Sequence, residues 1–291
     1  MIEIENVSKS FGKKKALCNV NLSLDLGIYG LLGPNGAGKT TFMRILATVL
    51  EMDSGRISMD DITWEDKLKV RERIGYLPQH FSMYGGLSVY ESLCHVAVLK
   101  NIEKRNIDSV VNAVIDEVNL TDRKTSRISA LSGGMLRRLG IAQALIGNPR
   151  ILIVDEPTAG LDPEERIRFR NLLSGIGDRR TILISTHIVE DVEAVCERMG
   201  VLNQGGVMIQ GDVEDIVAKV QGKVYEYETD RKIESGNGWT VISQRRQRDR
   251  FIYRILSDQE VKGAVHVRES LEDAYIYLTG GGARQNENDI L

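Results

Sequence analysis

The chain has 291 residues, 42% of them hydrophobic and 27% charged, a globular composition that excludes a disordered polymer. Thirty-eight Lys and Arg against 41 Asp and Glu leave a net charge of −3, which gives no ground for broad nucleic-acid binding. Cys18, Cys94 and Cys196 are odd in number and far apart, so they make no disulfide framework and fit a reducing compartment.

The acidic start, Met1-Ile2-Glu3-Ile4-Glu5, lacks the basic-then-apolar order of a signal peptide. No run of about 18 apolar residues occurs, so no membrane span is expected. Residues 2–32 read as strands and turns. Val20, Leu22, Leu24 and Leu26 alternate as the buried side of one strand, and 27–32 is the short apolar run of a buried parallel strand. A glycine-rich turn then leads into a predicted helix with Phe42, Ile45, Leu46 and Val49 on one face. Residues 84–147 read as largely helical. Buried strands are expected at 151–154 and 181–185, with helices at about 163–174 and 188–197. That order argues an α/β fold with a mainly parallel sheet. After about 216 the composition shifts, and strands are expected at 223–228, 239–241 and 251–256. Ser270 followed three residues later by Asp273 signals a helix start. The expected organisation is a domain at 1–216 with a helical subdomain at about 84–147, a small α+β appendage at 217–280, and a disordered tail at 281–291.

Three segments carry chemistry. Gly33-Pro34-Asn35-Gly36-Ala37-Gly38-Lys39-Thr40 fits the phosphate-loop pattern. Its glycines let backbone N–H groups turn inward on phosphate oxygens, and the following helix adds its positive end. Lys39 would reach the β- and γ-phosphates and the Thr40 hydroxyl would ligate magnesium. The apolar strand at 151–154 ends in Asp155 and Glu156, the first suited to a magnesium shell and the second to polarising a water. The alternative for that pair is a solvated acidic strand end. Leu131-Ser132-Gly133-Gly134 opens a helix that Gly147 and Pro149 stop, which makes a second anion-binding helix end or simply an N-cap.

In order along the chain, the phosphate loop, Tyr76-Leu77-Pro78-Gln79, Leu131-Ser132-Gly133-Gly134, Asp155-Glu156, Ala159-Gly160-Leu161-Asp162 and Ser185-Thr186-His187 make residues 1–216 resemble the nucleotide-binding subunits of ATP-binding cassette transporters. The resemblance implies a P-loop NTPase core with an antiparallel β subdomain and a helical subdomain, hydrolysing ATP with Mg2+. It implies that Gly33, Pro34, Asn35, Gly36, Ala37, Gly38, Lys39, Thr40 and Thr41 hold the nucleotide and that Phe11 stacks on adenine. Phe11 as a core aromatic is the alternative. Glu156 would act on the attacking water, with Gln79 touching water and magnesium beside Thr40 and Asp155. His187 would contact the γ-phosphate, although by spacing alone it is an ordinary histidine at a strand end. His80, His95 and His266 match no motif. Ser132, Gly133, Gly134 and Asp162 would contact the ATP of a second chain, paired head to tail as a homodimer.

One residue departs from the family pattern. Met135 stands where the signature usually has glutamine, and methionine cannot donate that side chain's hydrogen bonds. This bears on fine coupling more than on ATP binding. The same exchange, and the similarity of 271–280 to the tails of drug- and antibiotic-exporting ATPases, point to the exporter branch with separate membrane subunits. The resemblance therefore implies an export motor at the inner face of the cell membrane, held there by an integral membrane permease subunit. The Gln79 region, with Phe81, Met83 and Tyr84, would meet that partner, or those three side chains are local core. No nucleic-acid partner is expected. A cytosolic ATPase of the same fold acting on a ribosome or nucleic acid is the alternative, disfavoured by the single cassette, the absence of a heptad run and the acidic balance.

Overall fold

The computed structural model describes residues 1–236 and 238–281. These fall into two compact units, Met1–Gln210 and a second beginning at Gly211. In chain order the first carries β1 (Ile2–Phe11), β2 (Lys14–Leu24), β3 (Gly27–Leu32), α1 (Lys39–Leu46), β4 (Ser54–Met59), β5 (Ile62–Thr63), α2 (Lys67–Arg73) and β6 (Ile74–Leu77). Three helices follow, α3 (Val89–Leu99), α4 (Ile107–Glu117) and α5 (Gly133–Leu145), and then β7 (Ile151–Asp155), α6 (Pro163–Gly177), β8 (Thr181–Thr186), α7 (Val189–Val195), β9 (Arg198–Asn203) and β10 (Gly206–Asp212), which runs across the 210/211 boundary. Among these residues no helix is long and apolar enough to cross a membrane.

Hydrophobic patterning sorts these strands into two sheets. In β1, Ile2, Ile4 and Val7 are buried while Glu3 and Glu5 are exposed, the period-two pattern of a sheet with one wet face. It pairs antiparallel with β2 and β4, giving the order β2-β1-β4-β5. The second sheet has the order β10-β9-β3-β8-β7-β6, and β9, β3, β8, β7 and β6 run parallel. Its central strands are covered on both faces, so every residue of β7 is buried and the segment reads as an unbroken apolar run. Full burial of each such Ile, Leu or Val side chain contributes about 1.5–3 kcal/mol. Phe42 and Met43 of α1 pack with Leu31, Ile153 and Leu183 in the core between the sheets. The strand ends of β3, β7 and β8 are thereby fixed side by side.

The helices begin where their caps dictate. Ser88 and Glu91 form a reciprocal capping box at α3, and Asp162 caps α6 with Pro163 in its first turn. Two sequence expectations fail at element ends. β2 stops at Leu24, so Leu26 lies in the turn before Gly27 and is exposed. α1 stops at Leu46 because Thr48 takes a left-handed φ of 57°, which leaves Val49 outside the helix and exposed.

The second unit consists of α8 (Val213–Ala218), β11 (Val224–Thr229), β12 (Trp239–Gln247), β13 (Arg250–Ser257), β14 (Ala264–His266) and α9 (Leu271–Ile276). Its sheet is antiparallel in the order β12-β13-β11-β14, around Tyr225, Tyr253 and Ile255. β12 runs six residues past the expected 239–241, because the polar half of an edge strand carries no apolar alternation. A capping box of Ser270 and Asp273 starts α9, and the buried Asp273 also receives Arg254 Nε at 2.7 Å. The boundary at 210/211 places α8 in this unit, whereas the sequence reading carries the first domain to 216. The tail expected at 281–291 lies, from 282 on, outside the described residues.

Candidate active site

The phosphate loop turns between the end of β3 and the start of α1. Gly36 and Gly38 have φ of 83° and 109°, in the left-handed region that side chains avoid. At Gly38 a Cβ would also press on the Ala16 carbonyl oxygen and lie 3.0 Å from Leu17, so this position is closed to other residues twice over. Lys39 is buried. Its Nζ donates to the carbonyls of Gly33 at 2.7 Å and Pro34 at 3.3 Å and sits 3.2 Å from Glu156 Oε1.

Asp155 and Glu156 are no solvated strand end; both are almost fully buried. Parallel register sets Asp155 beside Ser185 of β8, whose hydroxyl donates to Asp155 Oδ1 at 2.5 Å. The exposed Thr40 donates to the same oxygen at 3.4 Å. Asp155 Oδ2 is buried without a hydrogen-bond partner. Burial pushes the Asp155 carboxyl above its ordinary pKa, opposed by the Ser185 and Thr40 hydrogen bonds. Burial, together with the Asp155 charge, pushes the nearby Tyr76 phenol up to about 12. Glu156 has a φ of 48°, and its N–H bonds to Ser185. That backbone turn brings its carboxylate between Lys39 and His187, whose Nδ1 lies 2.8 Å from Oε2.

An open depression of about 500 Å³ joins Phe11, Asn35, Gly36, Gly38, Lys39, Thr40 and Thr41 to Gln79 and Glu156. Phe11 is half exposed, with Lys9 Nζ 5.7 Å from its ring centroid, so it is not a core aromatic. Lys14 and Ala16 of β2 also line this depression and carried no motif that sequence reasoning could find. In the sequence Ser185 stands out only as part of the His187 segment. Its position as the polar end of an apolar strand was the available signal.

Ser132, Gly133, Gly134 and Asp162 do not line the depression. Ser132 is exposed at the start of α5, and its Oγ accepts from the Met135 N–H at 3.2 Å. Asp162, also exposed, accepts from the Glu165 N–H at 2.8 Å. Just before it, the Thr158 hydroxyl donates to the buried Asp191 of α7, which Arg170 Nε also meets at 2.8 Å. Neither Thr158 nor Asp191 was singled out from the sequence. Past Gln79, Phe81 is half-buried near Gly140 of α5 and Tyr84 is 77% exposed. The local-core alternative therefore fits Phe81 and fails for Tyr84.

A buried lysine under a glycine loop, facing paired carboxylates across a parallel sheet, is the arrangement of a nucleoside-triphosphate hydrolase. Residues 17–159 match the ABC transporter family model. The chain is 32% identical to the linearmycin resistance ATP-binding protein of Bacillus subtilis, over 76% of this chain and 72% of that one. It is 32% identical to the Nod factor export ATP-binding protein I of Bradyrhizobium diazoefficiens, over 96% of both. Among solved structures, a dimeric bacterial ABC transporter cassette superposes with a TM-score of 0.65 at 26% identity, covering 73% of this chain and 98% of that one. The cbiO1 protein of Clostridium perfringens, part of the ABC transporter complex cbiONQ, gives 0.67 at 29%, covering 75% and 90%. The family match at 17–159 and relatives at 32% identity over three quarters or more of its length make this chain a member of the ABC transporter family, an ATP-binding subunit that hydrolyses ATP.

Proposed function

We propose that two copies of this chain close head to tail on two ATP molecules and drive export through a separate integral membrane subunit. The observation that carries this reading is the position of Ser132 and Gly133. They form an exposed helix start that the chain's own nucleotide depression does not include. A helix start with free N–H groups attracts phosphate oxygens, so it serves the ATP of the second copy.

Within each site, Lys39 exchanges the Gly33 and Pro34 carbonyls for the β- and γ-phosphates. Phe11 stacks on adenine, and Asn35, Thr41 and the loop N–H groups hold the phosphates. The donor set fits Mg2+, because Asp155 keeps one buried oxygen unpaired beside the Thr40 hydroxyl, with Gln79 on the same depression. Magnesium would supply charge to the phosphate oxygens. Glu156 takes the proton of the attacking water, and His187 orients its carboxylate and meets the γ-phosphate. Asp162 completes the surface offered to the second copy. Export is supported by the resistance and export names of the relatives. Anchorage at the inner face of the cell membrane is supported by the exposed Tyr84 beyond Gln79 as an apolar contact for the membrane subunit.

A mixed pair tests the shared site. Lys39→Ala spoils the phosphate loop and Ser132→Arg spoils the second helix start, so each variant alone should cleave no ATP. A verified pair of one Lys39→Ala chain and one Ser132→Arg chain contains one intact site. It should regain single-turnover cleavage that neither parent shows. Mixed pairs that form and still cleave nothing would remove the shared site.

A further inference from the structure

The two glycines after Ser132 stand in different surroundings. A Cβ on Gly133 would meet nothing within 4 Å. A Cβ on Gly134 would drive into the Glu165 carboxylate, 2.6 Å from its Cδ and 2.8 Å from its Cγ. Gly134 has no left-handed φ, so packing alone accounts for the missing side chain. Glu165 comes from the first turn of α6, three residues after the Asp162 cap. It cannot swing aside freely. Arg168 Nη1 meets its Oε1 at 2.8 Å, Arg138 Nη2 of α5 lies 3.8 Å from its Oε2, and its side chain is only 13% exposed. Arg138 in turn donates to the Asn119 carbonyl at 2.8 Å.

We infer that Glu165 is a positioning residue, seated under the first turn of α5 so that Ser132 and Gly133 on one helix and Asp162 on the other are presented as one preset surface to the second copy's ATP. The inference rests on the shared-site reading above and adds a division of labour to it. Gly133 is open toward the incoming nucleotide, whereas Gly134 is small to admit Glu165 of its own chain.

The test uses full-length protein in a Glu156→Gln background, with ATP-driven pairing followed by analytical ultracentrifugation. A fluorescent ATP analogue measures the affinity of the unpaired chain, and circular dichroism melting monitors folding. Gly134→Ala should weaken pairing by about tenfold or more, the cost of overpacking a filled site. Glu165→Ala should weaken it by about threefold, through loss of partly exposed ion contacts. Both should leave the affinity of the unpaired chain unchanged. The Gly134→Ala/Glu165→Ala double variant should pair like Glu165→Ala alone, because the clash is gone. Gly133→Ala should gain nothing from Glu165→Ala. Pairing of Glu165→Ala at the background level overturns the inference, as does a double variant no better than Gly134→Ala. If Gly134→Ala fails to fold, the Glu165→Ala arm decides alone. Ser132→Arg separates the two ideas: normal pairing there overturns the shared site itself, whereas lost pairing there with no Glu165 effect overturns only the positioning role.

Discussion

Two helix starts in this chain have the same generic attraction for phosphate, yet they are built differently. At α1 the loop is surrounded: Lys39 and Glu156 are buried, Asp155 is held by Ser185, and a depression opens in front. At α5 the start is bare. Ser132 caps its own helix, Gly133 faces open space, and the supporting contacts lie behind it, at Gly134 and Glu165. A helix end by itself supplies only tenths of a kcal/mol to about 1 kcal/mol. Buried polar groups are therefore concentrated at one end and exposed ones at the other, the division that the shared site proposed above requires.

Three substitutions sharpen that contrast. The largest effect belongs to Glu156→Gln at the furnished end. A positioned general base contributes about 10²- to 10⁴-fold, or roughly 3–5 kcal/mol, so steady-state ATPase activity should fall by that order while ATP still binds. Unchanged turnover would remove Glu156 from the role. Next comes Lys39→Ala, which deletes charge-assisted contacts worth about 1.5–3 kcal/mol each and should lower ATP affinity by roughly a hundredfold in equilibrium binding. Retained affinity would mean that the loop backbone binds phosphate alone. The smallest is Met135→Gln at the bare end. Its backbone N–H stays on Ser132, so only the side chain changes; one added neutral hydrogen bond is worth about 1 kcal/mol, and pairing should change by less than about tenfold. A larger gain would show that the methionine limits closure.

The sequence made the furnished end legible because its parts are local. Gly33 to Thr40 is one continuous loop, and Asp155 and Glu156 end one apolar run. What escaped was what only the sheet brings together. Ser185 meets Asp155 through the parallel register of β7 and β8, thirty residues apart. The left-handed turn at Glu156 that delivers its carboxylate to His187 has no residue signal, since glutamate ordinarily avoids that region. Glu165 was within reach: an aspartate cap with glutamate three positions later is a helix-start pattern, but the pattern does not say that the side chain lies under another helix. The failures at Leu26 and Val49 have one cause. Apolar spacing continued past the residue at which the backbone had already turned.

The backbone at Glu156 has a consequence for evolvability. A side chain held in the left-handed region costs of order 1–3 kcal/mol, and glycine or asparagine would occupy that position more comfortably. The backbone conformation alone therefore disfavours glutamate here. Glu156→Gly should relieve the local strain, in opposition to the lost Lys39 and His187 contacts, yet leave a hydrolase without its carboxylate. On the role proposed for Glu156, conformational stability and turnover therefore pull this single position in opposite directions.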